Sequence, residues 1–349
     1  MHAPRPALRG AALALLAAAL FGLSTPLVQR LGVGLGSFST AALLYAGAAL
    51  VGALLRQPVA REAQLQRSDA GRLAAMAGFG AVIGPVALAW GLQRTSGASA
   101  SLMLTLEAVF TAVLARFWYG ESLDRRVLLA MGLLSAGGAA LVLDRAQAGS
   151  TPLWGLVAVM TATAAWGVDN ALSRPLAERD PGQVVLAKCA LGALATTVLA
   201  GLRAEPLPAL WPAVGLLLVG ASGYGLSLRF YLLAQRAFGA ARTGSVFAFA
   251  PFIGALGALA LGDRSGTLLM LGGGALMVLG LGLHLAEAHA HAHDHEALDH
   301  EHAHSHDDGH HDDHSHAALP VGAHSHPHHH TPRQHAHPHV PDAHHLHAH

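Results

Sequence analysis

Ten apolar stretches of about 20 residues, separated by short polar breaks, constrain this chain more than any other feature. A helix needs about that many mostly apolar residues to cross a bilayer. Segments such as LLMLGGGALMVLGLGL are apolar all round and offer water no polar face. The pattern predicts an all-α integral membrane protein with ten transmembrane helices. They lie near residues 9–30, 36–55, 72–93, 97–119, 126–143, 152–173, 183–202, 210–235, 240–261 and 266–286.

The charged residues and histidines divide the chain into two unlike parts. Up to Leu283 there are 20 Lys and Arg against 11 Asp and Glu, whereas from His284 onward 10 acidic residues accompany Arg333 alone. That last part also holds 25 of the 26 histidines. Only 12% of all residues are charged, about half of the usual share in a soluble domain. We therefore predict a membrane part, followed by a His-rich tail over residues 288–349.

The arginines indicate how the predicted helices are oriented. With a cytoplasmic N-terminus, 14 arginines fall at cytoplasmic loops and ends, and five fall on the opposite side. Cytoplasmic loops of membrane proteins carry the excess of Lys and Arg. The sequence thus predicts that both termini are cytoplasmic, in an inner membrane of the bacterial type. The five on the other side are Arg30, Arg94, Arg145, Arg203 and Arg264.

The two halves of the membrane part resemble each other. Because each half has five predicted helices, an odd number, the second copy would enter the membrane from the other side. This predicts two inverted five-helix repeats, residues 1–146 and 147–287, with a substrate site near the midplane between them. At a spacing of 142 residues, Gln93-Arg94 matches Gln235-Arg236, Gly97 matches Gly239, Phe110 matches Phe252, and GE at 120–121 matches GD at 262–263; LFGLSTPL from Leu20 aligns with AWGVDNAL from Ala165.

Taken together, these motifs resemble the EamA-type transporters of the drug/metabolite transporter superfamily. The resemblance rests on Trp166-Gly167 in an opening helix, on Pro251-Phe252, and on the GE or GD pair that closes the fourth helix of each unit. It covers residues 10–286 and implies a ten-helix inner-membrane carrier that exports small metabolites or toxic compounds. The His-rich tail is typical of a subgroup whose substrate the sequence does not name.

Five polar residues inside the predicted helices are candidates for substrate binding or proton coupling: Glu107, Asp169, Asn170, Lys188 and Arg229. A charge at the bilayer centre costs at least about 2.5 kcal/mol, so such residues are usually functional. Glu107 lies about halfway along its helix, and protonation would remove its charge. The Asp169 carboxylate beside an amide offers oxygen ligands to a cation or an ammonium group. Lys188 could receive a carboxylate.

Each of these residues also has a structural interpretation. Glu107 could pair with Arg229 or Lys188 instead of coupling transport. Asp169 and Lys188 could form an internal ion pair that locks the sixth and seventh helices together. Arg229 lies in a long helix, and its guanidinium could reach an interface instead of the protein interior.

The tail consists mainly of His, Asp, Glu, Ala, Pro and Ser, and this composition predicts disorder in the absence of metal. Neutral imidazole nitrogens suit Zn, Ni, Co or Cu(II), and the lack of Cys and Met in the tail disfavours Cu(I). The tail is therefore predicted to bind metal. The candidate ligands are His289, His291, His293, His295, His300, His302, His304, His306, His310, His311, His314 and His316.

These features predict a transporter rather than an enzyme. The sequence contains no Walker motif and no Ser/His/Asp set, and we expect no required cofactor. The expected partners are the lipid bilayer and a small-molecule or metal-ion substrate. We expect no nucleic-acid partner, and the sequence leaves open whether the protein forms a homodimer. The leading hypothesis is proton-coupled export of a small solute by alternating access. The alternatives are a Ni, Co or Zn exporter fed by the tail, and a membrane-anchored metal or pH sensor.

Overall fold

A computed structural model describes residues 5–56, 63–119, 125–176, 179–238, 240–285, 289–295, 298–304, 324–330 and 333–339. Its membrane part is built from α-helices, which in several places continue through short 3-10 or π segments. The helices are α1 (Arg5–Leu31), α2 (Ser37–Leu54), α3 (Ala70–Met76), α4 (Gly84–Leu92), α5 (Gly97–Met103), α6 (Glu107–Tyr119), α7 (Arg125–Gln147), α8 (Ser150–Ser173), α9 (Pro181–Leu202), α10 (Leu210–Val219), α11 (Ser227–Phe238), α12 (Ala240–Phe247), α13 (Ala250–Ala260) and α14 (Leu268–Leu285). The 3-10 segments are Arg67–Asp69, Leu104–Leu106 and Arg174–Leu176, and the π segments are Ala77–Ile83 and Gly220–Leu226.

Eight helical stretches among the described residues are long and apolar enough to cross a membrane. Large apolar side chains on them, such as Leu194 and Leu218, are exposed at the protein surface, as expected for helices that face lipid. The chain is therefore a multi-pass integral membrane protein. The eight stretches are Arg9–Leu31, Ser37–Leu54, Arg67–Leu92, Gly97–Trp118, Arg125–Gln147, Ser150–Ser173, Pro181–Leu202 and Leu210–Ala234.

The ninth and tenth predicted spans correspond to shorter apolar helices, Ala250–Ala260 and Leu268–Leu283. The ninth is divided, because α12 ends at Phe247 and α13 begins at Ala250. Pro251 lies in the first turn of α13. Proline lacks a backbone N–H and cannot donate to the carbonyl oxygen four residues before it, that of Phe247, so a break at this point is expected.

Helices at corresponding places in the two halves pack in corresponding ways. The opening helix of the first half, α1, packs against α11 and α13, and the opening helix of the second half, α8, packs against α4 and α6. Two further contacts join the second helix of each predicted half, α2 with α9, and the last helix of each, α7 with α14. The buried core between them contains apolar side chains from both halves, including Leu44, Leu88, Leu156 and Met277.

The two π segments also lie at corresponding places, one in each half. Each contains a glycine that touches the opening helix of the other half. A Cβ atom at Gly80 would lie 2.3 Å from the carboxyl carbon of Asp169, and one at Gly223 would lie 2.5 Å from the Cβ of Ser24. Since side chains at these two positions would collide, the glycines allow the helices to approach closely.

The described parts of the tail contain four short strands: β1 (His289–His295), β2 (Leu298–His304), β3 (His324–His330) and β4 (Arg333–His339). β1 pairs with β4 and β2 pairs with β3, both antiparallel, so that His291 lies opposite His337. The disorder of the tail in the absence of metal stays a prediction. Histidine alternates with other residues along much of these segments, and this two-residue period suits a strand.

Metal binding by the tail stays a prediction. Seven of the predicted ligands, His289, His291, His293, His295, His300, His302 and His304, fall in β1 and β2. The other five lie outside the described residues: His306, His310, His311, His314 and His316.

Candidate substrate cavity

A cavity of about 70 Å³ lies between helices of both halves. Four of the five polar residues predicted from the sequence line it: Glu107, Asp169, Asn170 and Lys188. They come from three helices, α6, α8 and α9. The cavity therefore brings together polar groups that are up to 81 residues apart in the chain, from Glu107 to Lys188.

Asp169 and Lys188 form an ion pair between α8 and α9, with Lys188 Nζ donating to Asp169 Oδ2. Both residues are only 5% exposed. The internal ion pair that the sequence offered as a structural interpretation is therefore present. The other carboxylate oxygen of Asp169, Oδ1, is buried and has no hydrogen-bond partner among the described residues.

Glu107 meets the neighbouring amide instead of a cation. Asn170 Nδ2 donates a hydrogen bond of 2.5 Å to Glu107 Oε1. A 3-10 turn, Leu104–Leu106, joins α5 to α6 and makes Glu107 the first residue of α6. In the described part of the chain, neither of the ion pairs that the sequence suggested for Glu107, with Arg229 or with Lys188, is present.

Aromatic side chains form much of the remaining wall. The Phe21 ring lies at the centre of this group, with its centroid 5.6 Å from that of Trp166, 5.8 Å from Tyr224 and 5.5 Å from Phe247. Tyr231 extends the group through Phe247, at 5.0 Å. The rings of Phe21 and Trp166 meet edge to face, an arrangement that aromatic pairs favour.

The first π segment fixes part of this wall. The Gly80 carbonyl accepts hydrogen bonds from Tyr45 Oη and, at 3.0 Å, from Trp166 Nε1. Two aromatic side chains from different halves are thus held by one backbone oxygen. π segments inside helices occur frequently at functional sites.

Arg229, the fifth predicted site residue, does not line this cavity. It belongs to α11, and its Nη1 atom is buried without a hydrogen-bond partner among the described residues. Sequence reasoning also missed the aromatic wall. One signal for it was available, because the alignment of LFGLSTPL with AWGVDNAL places Phe21 opposite Trp166, and these two rings touch.

Away from the cavity, polar contacts join the loops on the side that holds Arg30 and Arg264. Gln29 Nε2 donates to the carbonyl oxygens of Leu92 and Thr95, at 3.1 and 2.9 Å. Glu205 Oε2 accepts from the backbone N–H of Ser39 at 2.7 Å. These bonds link the first helix to the third loop, and the second half to the start of α2.

Asp263, in the GD motif, makes a further contact between the halves on this side. Its Oδ2 accepts from the backbone N–H of Ala98 at 3.0 Å, at the start of α5. Partial burial raises the pKa of Asp263, but hydrogen bonds from Ser265 and Ala98 and the charge of Arg145 outweigh it and leave the pKa below its ordinary value.

The fold and the cavity define a class: a multi-pass membrane protein that encloses charged groups between its helices. Residues 8–143 match the EamA-like transporter family. The resemblance seen in the sequence is thus confirmed for this segment, which forms an EamA family domain.

Two further comparisons extend over more of the chain. An "uncharacterized transporter" of Methanothermobacter thermautotrophicus is 28% identical over 203 residues, which are 56% of this chain and 58% of that protein. The chain thus spans less than two thirds of this relative. A solved structure described as "Crystal structure of protein" aligns with a TM-score of 0.57 and 18% identity, over 78% of this chain and 96% of the other. At this identity the likeness shows a shared fold.

Proposed function

We propose that the protein is a secondary transporter of the drug/metabolite type, which exports a small solute in exchange for protons by alternating access. The observation that carries the proposal is the cavity with Glu107 on its wall, enclosed by membrane helices of both halves. The EamA domain over residues 8–143 and a relative named as a transporter support it. Buried ionisable groups in membrane helices mark substrate and proton pathways.

The proposed architecture is a pair of inverted five-helix repeats, residues 1–146 and 147–287, with ten spans. Matched packing of α1 and α8 supports it, as do the two π segments at corresponding places. In this arrangement the site lies between the repeats, and transport exposes it first to one side of the membrane and then to the other.

The proposed orientation has both termini in the cytoplasm of a bacterial-type inner membrane. Asp169 and Asn170 then lie near the cytoplasmic end of α8, and Tyr231 and Phe247 also lie in the cytoplasmic half. The contacts of Gln29, Glu205 and Asp263 described above then close the opposite side. We assign this arrangement to the state in which the site faces the cytoplasm. We also propose that Glu107 binds the proton that drives the change to the opposite state.

The first experiment measures how well cells tolerate toxic solutes. Cells that produce the full chain, its Glu107→Gln variant or neither are compared on metals, amino acids and toxic amines. A solute to which only the full chain confers tolerance is then added to proteoliposomes with an acidic interior. We expect accumulation of the solute and alkalinisation of the interior, both lost with Glu107→Gln. The proposal fails if no solute class gives tolerance or flux.

The tail supports a second candidate, export of Ni, Co or Zn collected from the cytoplasm. The observation that supports this candidate is the presence of 25 histidines in the last 66 residues. This version requires that deletion of residues 288–349 lowers Ni or Zn tolerance. Unchanged tolerance would exclude the tail as a supplier of cargo, and metal binding without flux of any solute would favour the sensor instead.

A further inference from the structure

The charges that line the cavity do not cancel. Asp169 and Lys188 are bonded to each other and together are neutral. Glu107 receives a hydrogen bond from the uncharged amide of Asn170. Lys188 is the one Lys or Arg among the described residues that line the cavity. One carboxylate is therefore left without a cationic partner, and either a proton or a positively charged solute would compensate it.

A second oxygen also lacks a partner. Asp169 Oδ1 is buried, and no described group donates to it. An unmet acceptor in a buried site costs free energy, which a donor on a bound solute would recover. Because Lys188 is already held by Oδ2 of the same carboxylate, a carboxylate solute would have to break the ion pair to reach it. The polar groups therefore favour a solute with N–H donors over one with acceptor oxygens.

The aromatic wall agrees with this preference. Phe21, Trp166, Tyr224, Tyr231 and Phe247 line the same cavity as Glu107. The faces of aromatic rings carry negative potential and attract cations, most strongly in sites from which water is excluded. They also give apolar area to the body of a solute. Carboxylates and ring faces together recognise a cation attached to an apolar group.

We infer that the transported solute is a protonated amine with an apolar body, whose ammonium group binds Glu107 and Asp169 Oδ1 while its body packs on the aromatic wall. The inference rests on the proposed function and names its substrate class. It also gives Glu107 two exclusive occupants, a proton or an ammonium group. Exchange of one for the other moves solute and proton in opposite directions.

The probe is radiolabelled phenethylamine, which is a cation at neutral pH because alkyl amines ionise near pH 10, as Lys does. Its binding to the purified full chain in detergent is measured by equilibrium dialysis. We expect binding that 2-phenylethanol competes for at least about tenfold more weakly, since it has the same body without the charge. The trimethylated ammonium analogue should also bind more weakly, because it lacks N–H donors.

Variants separate the two parts of the site. Glu107→Gln should weaken phenethylamine binding at least about tenfold, and Phe21→Leu should weaken it about threefold or more. Glu301→Gln changes the net charge equally but lies in the tail, and it serves as the matched control with unchanged binding.

Equal or tighter binding of 3-phenylpropanoate, no detectable binding of phenethylamine, or unchanged binding by Glu107→Gln would each overturn the inference. The proposed function would stand in those cases if the tolerance screen and proteoliposomes revealed a carried solute of another class. Absence of flux with every solute would instead remove the proposed function itself.

Discussion

The two halves of the membrane part share a packing plan but place different chemistry on it. In each half the opening helix meets a glycine of the other half's π segment. At this contact α8 presents the carboxylate of Asp169 to Gly80, whereas α1 presents the hydroxyl-bearing Ser24 to Gly223. One half therefore contributes a charge where the other contributes a small neutral group.

The fourth helix of each half shows the same difference in the opposite sense. Glu107 lies in the first half, and the residue 142 positions later is Phe249. In the proposed repeat, the helices of the two halves thus correspond, but their buried charges do not. A second set of buried charges would add a further cost of insertion into the membrane. One set is sufficient if both orientations of the transporter use a single central site.

The largest expected effect tests this asymmetry at the paired positions Glu107 and Phe249. Glu107→Leu removes the unpaired carboxylate, and we expect proton-driven flux of the solute found in the tolerance screen to fall to background. Phe249→Leu keeps an apolar side chain at the matching position, between α12 and α13, and should retain most of the flux. Both are measured in proteoliposomes with an acidic interior. Equal loss of flux in the two variants would show that the chemistry of the site is as symmetric as the packing of the helices.

The ion pair should give the next largest effect. Lys188→Met leaves the carboxylate of Asp169 buried without its cation, and breaking a buried pair in this way costs about 3–5 kcal/mol. The double variant Asp169→Asn/Lys188→Met should recover most of that loss, because no charge is left uncompensated. Ser24→Ala, at the neutral counterpart, removes one hydrogen bond, from its Oγ to the Phe21 carbonyl, and should cost about 1 kcal/mol. Thermal unfolding of detergent-solubilised protein compares the three.

A double variant no more stable than Lys188→Met would contradict this account. It would indicate that the pair stabilises the structure through packing, since removing both charges would then bring no recovery.

The polar residues of the cavity lining were predictable from the sequence, whereas the contacts between them were not. Charged residues stand out in apolar helices because insertion penalises them, so Glu107, Asp169 and Lys188 were identified directly. Which of these side chains contact each other depends on how each helix is rotated about its axis. A helix that is apolar on all sides gives no sequence pattern from which that rotation could be read. For that reason the sequence left two partners open for Glu107 and did not single out Asn170 as its donor.

The aromatic wall was harder to predict for a different reason. Phe, Tyr and Trp are common in membrane helices as apolar or interfacial residues, so Tyr224 and Phe247 carry no signal of their own. The predicted internal repeat related Phe21 to Trp166 but did not show that the rings touch. Arg229 shows the reverse case, because its charge made it a candidate although it is not among the residues that line the cavity.

A smaller effect is expected at the glycines of the first π segment. In Gly80→Ala the new Cβ would lie 2.3 Å from the Asp169 carboxyl group, which is held by Lys188 and has little freedom to move. Overpacking of this kind costs about 1–3 kcal/mol. Gly78→Ala is the matched control in the same segment, because no atom lies within 4 Å of its Cβ position. Unfolding temperature and phenethylamine binding are measured for both variants.

Equal unfolding temperatures for Gly78→Ala and Gly80→Ala would contradict the close contact between the π segment and α8. A loss of binding without a loss of stability in Gly80→Ala would sharpen the comparison, because it would place the effect on the carboxylate alone.

The smallest expected effect concerns the GD motif, the counterpart of GE at 120–121. Asp263 accepts from the N–H of Ala98 at the start of α5, and removal of such a cap costs about 1 kcal/mol. Because the pKa of Asp263 is lower in the folded protein, its ionised form stabilises the fold above the ordinary pKa of 3.8. This contribution is lost as the pH falls through the lowered value. The Asp263→Ala variant should therefore unfold at a lower temperature than the unaltered protein at pH 7, and the difference should shrink below about pH 4.

Asp263→Asn is the control, because its amide oxygen can accept the same hydrogen bond without titrating. Its unfolding temperature at neutral pH should lie between those of Asp263→Ala and the unaltered protein, and it should lack the decline that Asp263 contributes in acid. If Asp263→Ala were as stable as the unaltered protein at pH 7, the contact with Ala98 would not hold the halves together on this side. Closure of that side would then depend on Gln29 and Glu205, which join it through loops of other helices.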